Sequence, residues 1–281
     1  MIKKILKIIG FSVLILLIIL YTLFNYFTAP KSDVNVLEAF KEVKIKPILT
    51  HEKYKKFDYR KLTILRDTTL PTLVFVHGTI GSCTDFSAYM KDSVLQTKVN
   101  MIAYDRVGYN YKDKNPVQEN IAFEAELLEN MIKDLPKCKT ILVGYSYGGP
   151  IALAVKDAYK KIILLAPAVY SKVEPMPWML NFYKWKATRW LVPKIWKEAS
   201  KEKLSHREDL ENFEMEWSNS SNEIISVHGK PDWIVPYSNS LFLQEQFDSE
   251  QFILKPLEKA GHGLIWSDFE IIKQEFLNQL D

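Results

Sequence analysis

A serine stands at the centre of residues 144–148, which read GYSYG and have the form G-x-S-x-G. The stretch 140–143 before it is apolar and β-branched, as in a buried strand, and the stretch 151–159 after it resembles a helix. A sharp turn between the two would expose the Ser146 hydroxyl, and the flanking glycines would let the backbones approach each other. A helix N-terminus beside this turn would favour a developing oxyanion. Ser146 is therefore the candidate nucleophile for acyl transfer.

A serine hydroxyl is a weak nucleophile, so it needs a base that takes its proton. Beyond a serine turn of this kind, an acid and then a histidine are expected further along the chain. Of the later histidines, His206 falls in a long helical insertion and His228 falls within an apolar run. His262 lies in a Gly-His-Gly loop after the last predicted strand. His262 is therefore the predicted base.

The base must in turn be oriented by a carboxylate. Asp232 comes just after a predicted strand and precedes His262 with room for one helix and one strand. Glu174 lies at the entrance of the insertion, and Asp248 lies within a polar turn. Asp232 is the preferred acid, with Glu174 and Asp248 as weaker alternatives.

Short apolar, β-branched runs alternate with longer amphipathic stretches through the body of the chain. Several of the runs lack polar alternation, which is typical of strands buried on both faces of a parallel sheet. The pattern predicts an α/β fold with a mostly parallel central sheet flanked by helices. The predicted strands are 61–65, 72–77, 100–104, 140–145, 161–166, 224–228 and 252–254.

The stretch 171–222 is too long for an ordinary crossover between strands and holds five of the seven tryptophans. We expect it to form a helical cap over the carboxyl ends of the strands, where active sites of such sheets lie. Its tryptophans are expected mainly to pack, and the Lys/Glu run 194–203 is expected to be a solvated helix face. Part of the cap would give the acyl pocket an apolar lining. The candidates for that lining are Met176, Trp178, Met179, Phe182 and Trp185.

The N-terminal segment predicts a membrane anchor. Residues 8–30 carry no charge, and a helix needs roughly 20 apolar residues to cross a hydrocarbon core. A cleaved signal peptide is the alternative, but its apolar region is shorter, about 7–15 residues. We expect residues 1–30 to form a cytoplasmic tail and transmembrane helix, 31–58 a linker, and 59–281 a domain outside the cytoplasm.

Charge and composition limit the other functions. The chain has 37 Lys and Arg against 34 Asp and Glu, and the surplus is accounted for by Lys3, Lys4 and Lys7. The neutral remainder argues against nucleic-acid binding. Two cysteines cannot form a disulfide framework, and no Cys/His spacing suggests zinc. The expected partners are a small ester or acyl substrate and the membrane, with no metal or organic cofactor.

From 70 to the C-terminus these motifs resemble the α/β-hydrolase fold superfamily, in particular its cap-containing, esterase-like members. The resemblance rests on a His-Gly pair at 77–78, the segment 105–109 after the next strand, the serine turn, the segment 228–236 and the Gly-His-Gly loop, all in family order. It implies Ser146, Asp232 and His262 as a catalytic triad. It also implies an oxyanion hole formed by the backbone N–H groups of Thr79 and Tyr147. A serine nucleophile argues against the dehalogenase and epoxide-hydrolase branches, which require Asp there.

The expected function is that of a membrane-anchored serine hydrolase that cleaves carboxylic esters with an apolar acyl portion. The same triad would serve an acyltransferase, thioesterase, amidase or carbon–carbon bond hydrolase, and the fold does not choose among these. A non-catalytic module that holds a ligand in the pocket is a third reading. The complete triad favours an enzyme.

Overall fold

The apolar runs of the sequence form a single sheet of eight strands. The structure is a computed structural model that describes residues 2–280. The strands are β1 (Ile48–Tyr54), β2 (Phe57–Ile64), β3 (Thr72–Val76), β4 (Asn100–Tyr104), β5 (Thr140–Tyr145), β6 (Lys161–Leu165), β7 (Ile224–Gly229) and β8 (Phe252–Leu257).

The strands lie in the order β1-β2-β4-β3-β5-β6-β7-β8. β2 pairs antiparallel with β1 and with β4, and every pair from β4 to β8 is parallel. Because parallel strands end at the same edge of a sheet, the loops after β3, β5, β7 and β8 meet there. This edge holds the candidate catalytic residues.

Helices cover both faces of the sheet, and the predicted fold class is confirmed. Leu73 and Phe75 of β3 pack into the core on one face, while Val74 and Val76 pack into the core on the other, as expected for a strand with alternating side chains. The helices are α1 (Ile2–Thr28), α2 (Asp33–Glu38), α3 (Ser87–Lys91), α4 (Leu95–Lys98), α5 (Ile121–Met131), α6 (Gly148–Leu153), α7 (Leu180–Lys184), α8 (Lys186–Arg189), α9 (Lys194–Glu211), α10 (Ser238–Gln246), α11 (Leu264–Ser267) and α12 (Phe269–Asn278).

The sequence suggested that 31–58 is a linker, and the structure shows that this stretch is part of the fold. It contains α2 and the edge strand β1, which pairs with β2 over its whole length. None of the β1 side chains is fully buried, and charged residues interrupt its apolar ones. An edge strand of this kind lacks the apolar run that marks a central strand, which is why the sequence pattern missed it.

The first helix makes little contact with the body. α1 has a mean hydropathy of 2.5 over its most apolar window, and none of its residues is buried. Within residues 2–280, it is the helix that is long and apolar enough to cross a membrane. The length and composition of α1 are the basis for considering it a candidate membrane helix.

The insertion 171–222 between β6 and β7 is helical and has two different halves. The first contains the short helices α7 and α8, and the second contains the 18-residue helix α9. The expectation that the tryptophans pack is correct for Trp217, which is 2% exposed, and wrong for Trp178 and Trp190, which are 71% and 69% exposed.

Candidate active site

The serine turn forms as its glycines predict. Ser146 lies between β5 and α6 with a positive φ of 54°, a strained conformation for a residue with a side chain. A Cβ on Gly148 would stand 2.2 Å from the carbonyl oxygen of Val76, so only glycine fits against β3 at this point. The turn holds the serine at the carboxyl edge of the sheet, where it is 8% exposed.

The three predicted triad residues meet at this edge. The Oγ of Ser146 lies 3.0 Å from Nε2 of His262, and Nδ1 of His262 lies 2.8 Å from Oδ2 of Asp232. With the proton of the imidazole on Nδ1, Nε2 is free to accept the proton of the serine hydroxyl. This hydrogen-bonded chain is the arrangement that activates a serine nucleophile.

Asp232 is held as an ionised acceptor. Its Oδ1 accepts hydrogen bonds from the backbone N–H groups of Ile234 and Val235, at 2.9 and 3.0 Å. Burial opposes its ionisation, but hydrogen bonds from His228 and His262 outweigh burial and hold the pKa of Asp232 well below its usual range. The carboxylate therefore stays charged through the physiological range.

Two residues support the triad without having been singled out by the sequence. His228, which the sequence analysis set aside as a strand residue, is fully buried with Nε2 at 3.5 Å from Oδ2 of Asp232. The ring of Tyr145 stacks on that of His262 at 5.2 Å, and its hydroxyl donates to the carbonyl of His262. The position of Tyr145 beside the serine in G-x-S-x-G was the available signal.

The alternative acids take other roles. Glu174 is buried and forms an ion pair with Lys203 of α9, and its backbone carbonyl accepts a bond from Arg207. Asp248 is exposed at the turn before β8. Neither carboxylate makes a hydrogen bond to His262 within the described residues.

The loop after β3 lies directly against the serine turn. A Cβ on Gly78 would stand 2.8 Å from the Cβ of Ser146. The buried His77 accepts the backbone N–H of Arg106 at its Nε2, so its Nδ1 carries the proton and donates to the carbonyl of Gly78 at 2.7 Å. These bonds fix the loop that contains Thr79, whose N–H is a predicted oxyanion donor together with that of Tyr147.

A carboxylate from the cap binds the loop after β3 that contains Thr79, which we call the oxyanion loop. Glu202 of α9 is 1% exposed and makes two hydrogen bonds with the guanidinium of Arg106, at 2.7 and 3.0 Å. The same carboxylate accepts the hydroxyl protons of Thr79 and Tyr109, each at 2.7 Å. Arg106 also donates to the carbonyl of Gly78. A single cap side chain thus joins the cap helix to the oxyanion loop.

The prediction that 194–203 is a solvated helix face is wrong. Glu198, Glu202, His206 and Asp209 of α9 are each 8% exposed or less. They recur at intervals of four, four and three residues, which places them on one face of a helix. That spacing was the signal by which the sequence could have identified a buried polar face.

The residues of the cap that were predicted to line the pocket are exposed to solvent. Met176, Trp178, Met179, Phe182 and Trp185 are between 38% and 71% exposed. They form an apolar surface on the first half of the cap, and their role as an acyl pocket stays a prediction. Among residues 2–280, no group of three or more His, Cys, Asp or Glu side chains is placed to hold a metal ion.

Comparisons with known proteins agree with this architecture. The family described as the alpha/beta hydrolase fold matches residues 71–241. The sn-1-specific diacylglycerol lipase ABHD11 of Mus musculus is 34% identical over 105 residues. That match covers 35% of this chain and 33% of the mouse protein, so the chain spans about a third of that relative's length.

Solved structures share the fold. An esterase from Exiguobacterium antarcticum has a TM-score of 0.67 and 17% identity, covering 83% of this chain and 99% of its own. A membrane phospholipase A described as a bacterial virulence factor has a TM-score of 0.65 and 16% identity, covering 98% of both chains. A putative lipase from Acinetobacter baumannii has a TM-score of 0.62 and 14% identity, covering 88% of this chain and 95% of its own. The chain is therefore a hydrolase of the α/β-hydrolase family.

Proposed function

We propose that this chain is a membrane-anchored serine hydrolase that cleaves carboxylic esters with an apolar acyl portion. The observation that carries the proposal is the hydrogen-bonded chain from Ser146 through His262 to Asp232, at 3.0 and 2.8 Å. Esterases and lipases among the relatives support an ester as substrate. The exposed apolar residues of the cap support a hydrophobic acyl group.

The reaction proceeds through an acyl-enzyme. His262 takes the proton of Ser146 as Oγ attacks the ester carbonyl carbon, and Asp232 stabilises the imidazolium that forms. The N–H groups of Thr79 and Tyr147 bind the oxyanion of the tetrahedral intermediate. His262 then protonates the departing alcohol. In the second half, His262 deprotonates a water that attacks the acyl carbon. His262 then returns this proton to Oγ of Ser146 as the bond between Oγ and the acyl carbon breaks and the acid leaves.

Replacing the nucleophile tests this chemistry. In S146A the attacking oxygen is absent while Cβ is kept, so we expect ester hydrolysis to fall at least about 10³-fold with the fold intact. A fluorophosphonate probe should label the native chain and not S146A. S93A is the matched control, because Ser93 is an exposed turn residue before α4 and should keep both labelling and turnover. Hydrolysis retained in S146A would reject the assignment.

A panel of acyl compounds then defines the bond and the chain length. The proposal predicts faster turnover of medium and long acyl esters than of acetyl esters. It also predicts faster turnover of esters than of the matching thioesters and amides. A preference for thioesters or amides would instead identify the enzyme as a thioesterase or an amidase. The labelling of Ser146 would be the same in either case.

The anchor is the second part of the proposal. α1 is exposed along its length and apolar enough to span a bilayer, and the similarity to a membrane phospholipase A extends over 98% of this chain. Lys3, Lys4 and Lys7 precede the apolar stretch, which favours the N-terminus on the cytoplasmic side and the body outside. External protease should therefore digest the body in intact cells, and full protection of the body would reverse the orientation.

A further inference from the structure

The first half of the cap exposes an unusual amount of aromatic and apolar surface. We use the name cap surface for residues 175–191, which include α7 and α8. Soluble surfaces rarely expose a contiguous apolar patch of this kind unless it contacts a partner. Its most exposed members and their exposed fractions are Trp178 (71%), Met179 (56%), Phe182 (43%), Trp185 (59%), Trp190 (69%) and Leu191 (40%).

The charge of this region has one sign. Lys184, Lys186 and Arg189 lie within the cap surface, Lys194 and Lys197 follow it, and residues 175–197 contain no Asp or Glu. Residues 8–281 together carry 34 Lys and Arg against 34 Asp and Glu, so the positive charge of this stretch is offset by a surplus of five acidic residues in the rest of the body. A local surplus of positive charge among tryptophans fits the negatively charged headgroup region of a phospholipid bilayer.

The proposed membrane helix ends beside Trp196 near the start of α9, five residues after the cap surface. The ring of Phe24, in the last turns of α1, packs on the ring of Trp196 of α9, with centroids 5.4 Å apart. Trp196 packs against a small cluster of Tyr109, Val117 and Ile195. Ile80, the residue after Thr79 in the oxyanion loop, packs against the same cluster. The end of α1, the cap and the oxyanion loop therefore lie on the same side of the molecule.

The segment after α1 is fixed to the body. Arg60, which is fully buried, donates to the carbonyl of Lys31 at 2.8 Å and to the carboxylate of Asp33 at 3.2 Å. Asp33 also accepts bonds from Tyr111 and Lys112. These contacts leave no long flexible connection between α1 and the body. They therefore restrict how the body can be oriented relative to the bilayer.

We propose that the cap surface lies on the leaflet at which α1 ends, in contact with anionic lipids of that leaflet. The proposal rests on the anchoring part of the proposed function. The tryptophans would enter the interfacial region while Lys184 and Lys186 contact lipid phosphates, as in helices that lie in the plane of a membrane. The ester bond of a substrate that resides in the bilayer would then approach Ser146 from the lipid side.

Fluorescence quenching by lipids tests the contact in the full chain. The protein is reconstituted in vesicles that contain anionic phosphatidylglycerol with brominated or unbrominated acyl chains. Bromine quenches only tryptophans that enter the membrane. We expect replacement of Trp178, Trp185 and Trp190 by Phe to lower the bromine-dependent loss of fluorescence at least about twofold. An unchanged loss would overturn the proposal and leave a protein partner as the occupant of the cap surface.

Two double variants with reversed charges, one in the cap surface and one at the opposite edge of the sheet, test the role of the lysines. We expect K184E combined with K186E to lower the quenching at least about twofold in anionic vesicles. K98E combined with K133E is the control, because both lysines are exposed near the amino ends of β4 and β5, at the edge of the sheet opposite the cap. An equal decrease in both double variants would overturn the proposal, since it would reflect overall charge.

Two further measurements separate this inference from the proposed function. Flotation with the vesicles at high salt reports on α1, and its loss would reject both the anchor and the cap contact. Normal flotation without quenching of the cap tryptophans would reject the cap contact alone. Labelling of Ser146 in the same samples reports on the chemistry independently of either result.

Discussion

The two halves of the cap differ in how they meet the rest of the molecule. α9 presents acidic side chains and a histidine to the body, and each of them finds a buried partner. The cap surface 175–191 presents aromatic and basic side chains to the outside, with large exposed fractions. α9 therefore buries several charged side chains beside its apolar ones, whereas the cap surface leaves its tryptophans exposed, and both differ from an ordinary amphipathic helix.

The partners of the α9 side chains explain this difference between the two halves. The acceptors on α9 face a guanidinium and backbone N–H groups of the body: Glu198 accepts from Val117, and Asp209 accepts from Ile121. These bonds satisfy groups that would otherwise be buried without partners. The cap surface has no such groups to satisfy, and its composition suits a lipid interface. One half therefore fixes the cap to the active site, and we propose that the other fixes it to the membrane.

Glu202 is the side chain whose change should break this comparison most strongly. In E202Q the buried Arg106 loses its ion pair at 2.7 Å and is left with a longer one with Glu124, at 3.9 Å. We therefore expect a loss of about 3–5 kcal/mol in the free energy of unfolding. Glutamine has a single acceptor oxygen for the four hydrogen bonds that the carboxylate accepts from Thr79, Arg106 and Tyr109. The loop that contains Thr79 therefore loses part of its support, and we expect kcat to fall while KM changes little. Chemical denaturation and steady-state kinetics measure the two effects.

E198Q is the matched control on the same helix, one turn earlier. Glu198 accepts the Val117 N–H at 3.0 Å and pairs with Lys201, and none of its hydrogen bonds reaches the oxyanion loop. We expect E198Q to lower stability by about 1–2 kcal/mol and to leave kcat unchanged. Equal losses of kcat in E202Q and E198Q would show that Glu202 acts only through general stability.

His206 gives the buried half a dependence on pH. Burial lowers its pKa from 6.5 to about 3, with a contribution from the charge of Lys203. The unfolded chain therefore binds a proton at His206 below pH 6.5, and the folded chain does not until about pH 3. The stability that the neutral imidazole contributes is present above pH 6.5 and is lost as the pH falls through this window.

The variant H206Q isolates this contribution, since glutamine can still donate to the carbonyl of Ala168, which lies 3.0 Å from Nε2. We expect the native chain to lose about 1–3 kcal/mol more stability than H206Q between neutral pH and about pH 4.5. Denaturant titrations of both chains at the two pH values measure the difference. Equal losses of stability in the native chain and in H206Q would show that the pKa of His206 is the same in the folded and unfolded states.

The sequence predicted the central sheet and the triad positions because both follow from local patterns. Buried parallel strands are continuous apolar runs, and Ser146, Asp232 and His262 each lie on a loop after such a run. The geometry brings these three side chains together as that order implies. Their catalytic roles remain a prediction that S146A will test.

The sequence could not predict features that depend on what lies opposite a residue. β1 carries no apolar run because it lies at the edge of the sheet. Glu202 lies in a charged segment that reads as solvated, and its burial depends on Arg106, which is distant in the chain and fully buried. The partner of a buried charge is a property of the tertiary structure, and sequence spacing alone does not identify it.

The smallest effect on stability is expected in the exposed half of the cap. In W178A and W190A the lost side chains are 71% and 69% exposed, so unfolding in a neutral detergent should change by no more than about 0.5 kcal/mol. W217A is the matched control: Trp217 is 2% exposed and donates to the carbonyl of Val169, so its loss should cost about 3–5 kcal/mol. If W178A or W190A were as destabilising as W217A, these tryptophans would belong to the packed core of the cap. Unchanged stability together with lost lipid quenching would instead show that they serve the membrane contact and contribute nothing to folding.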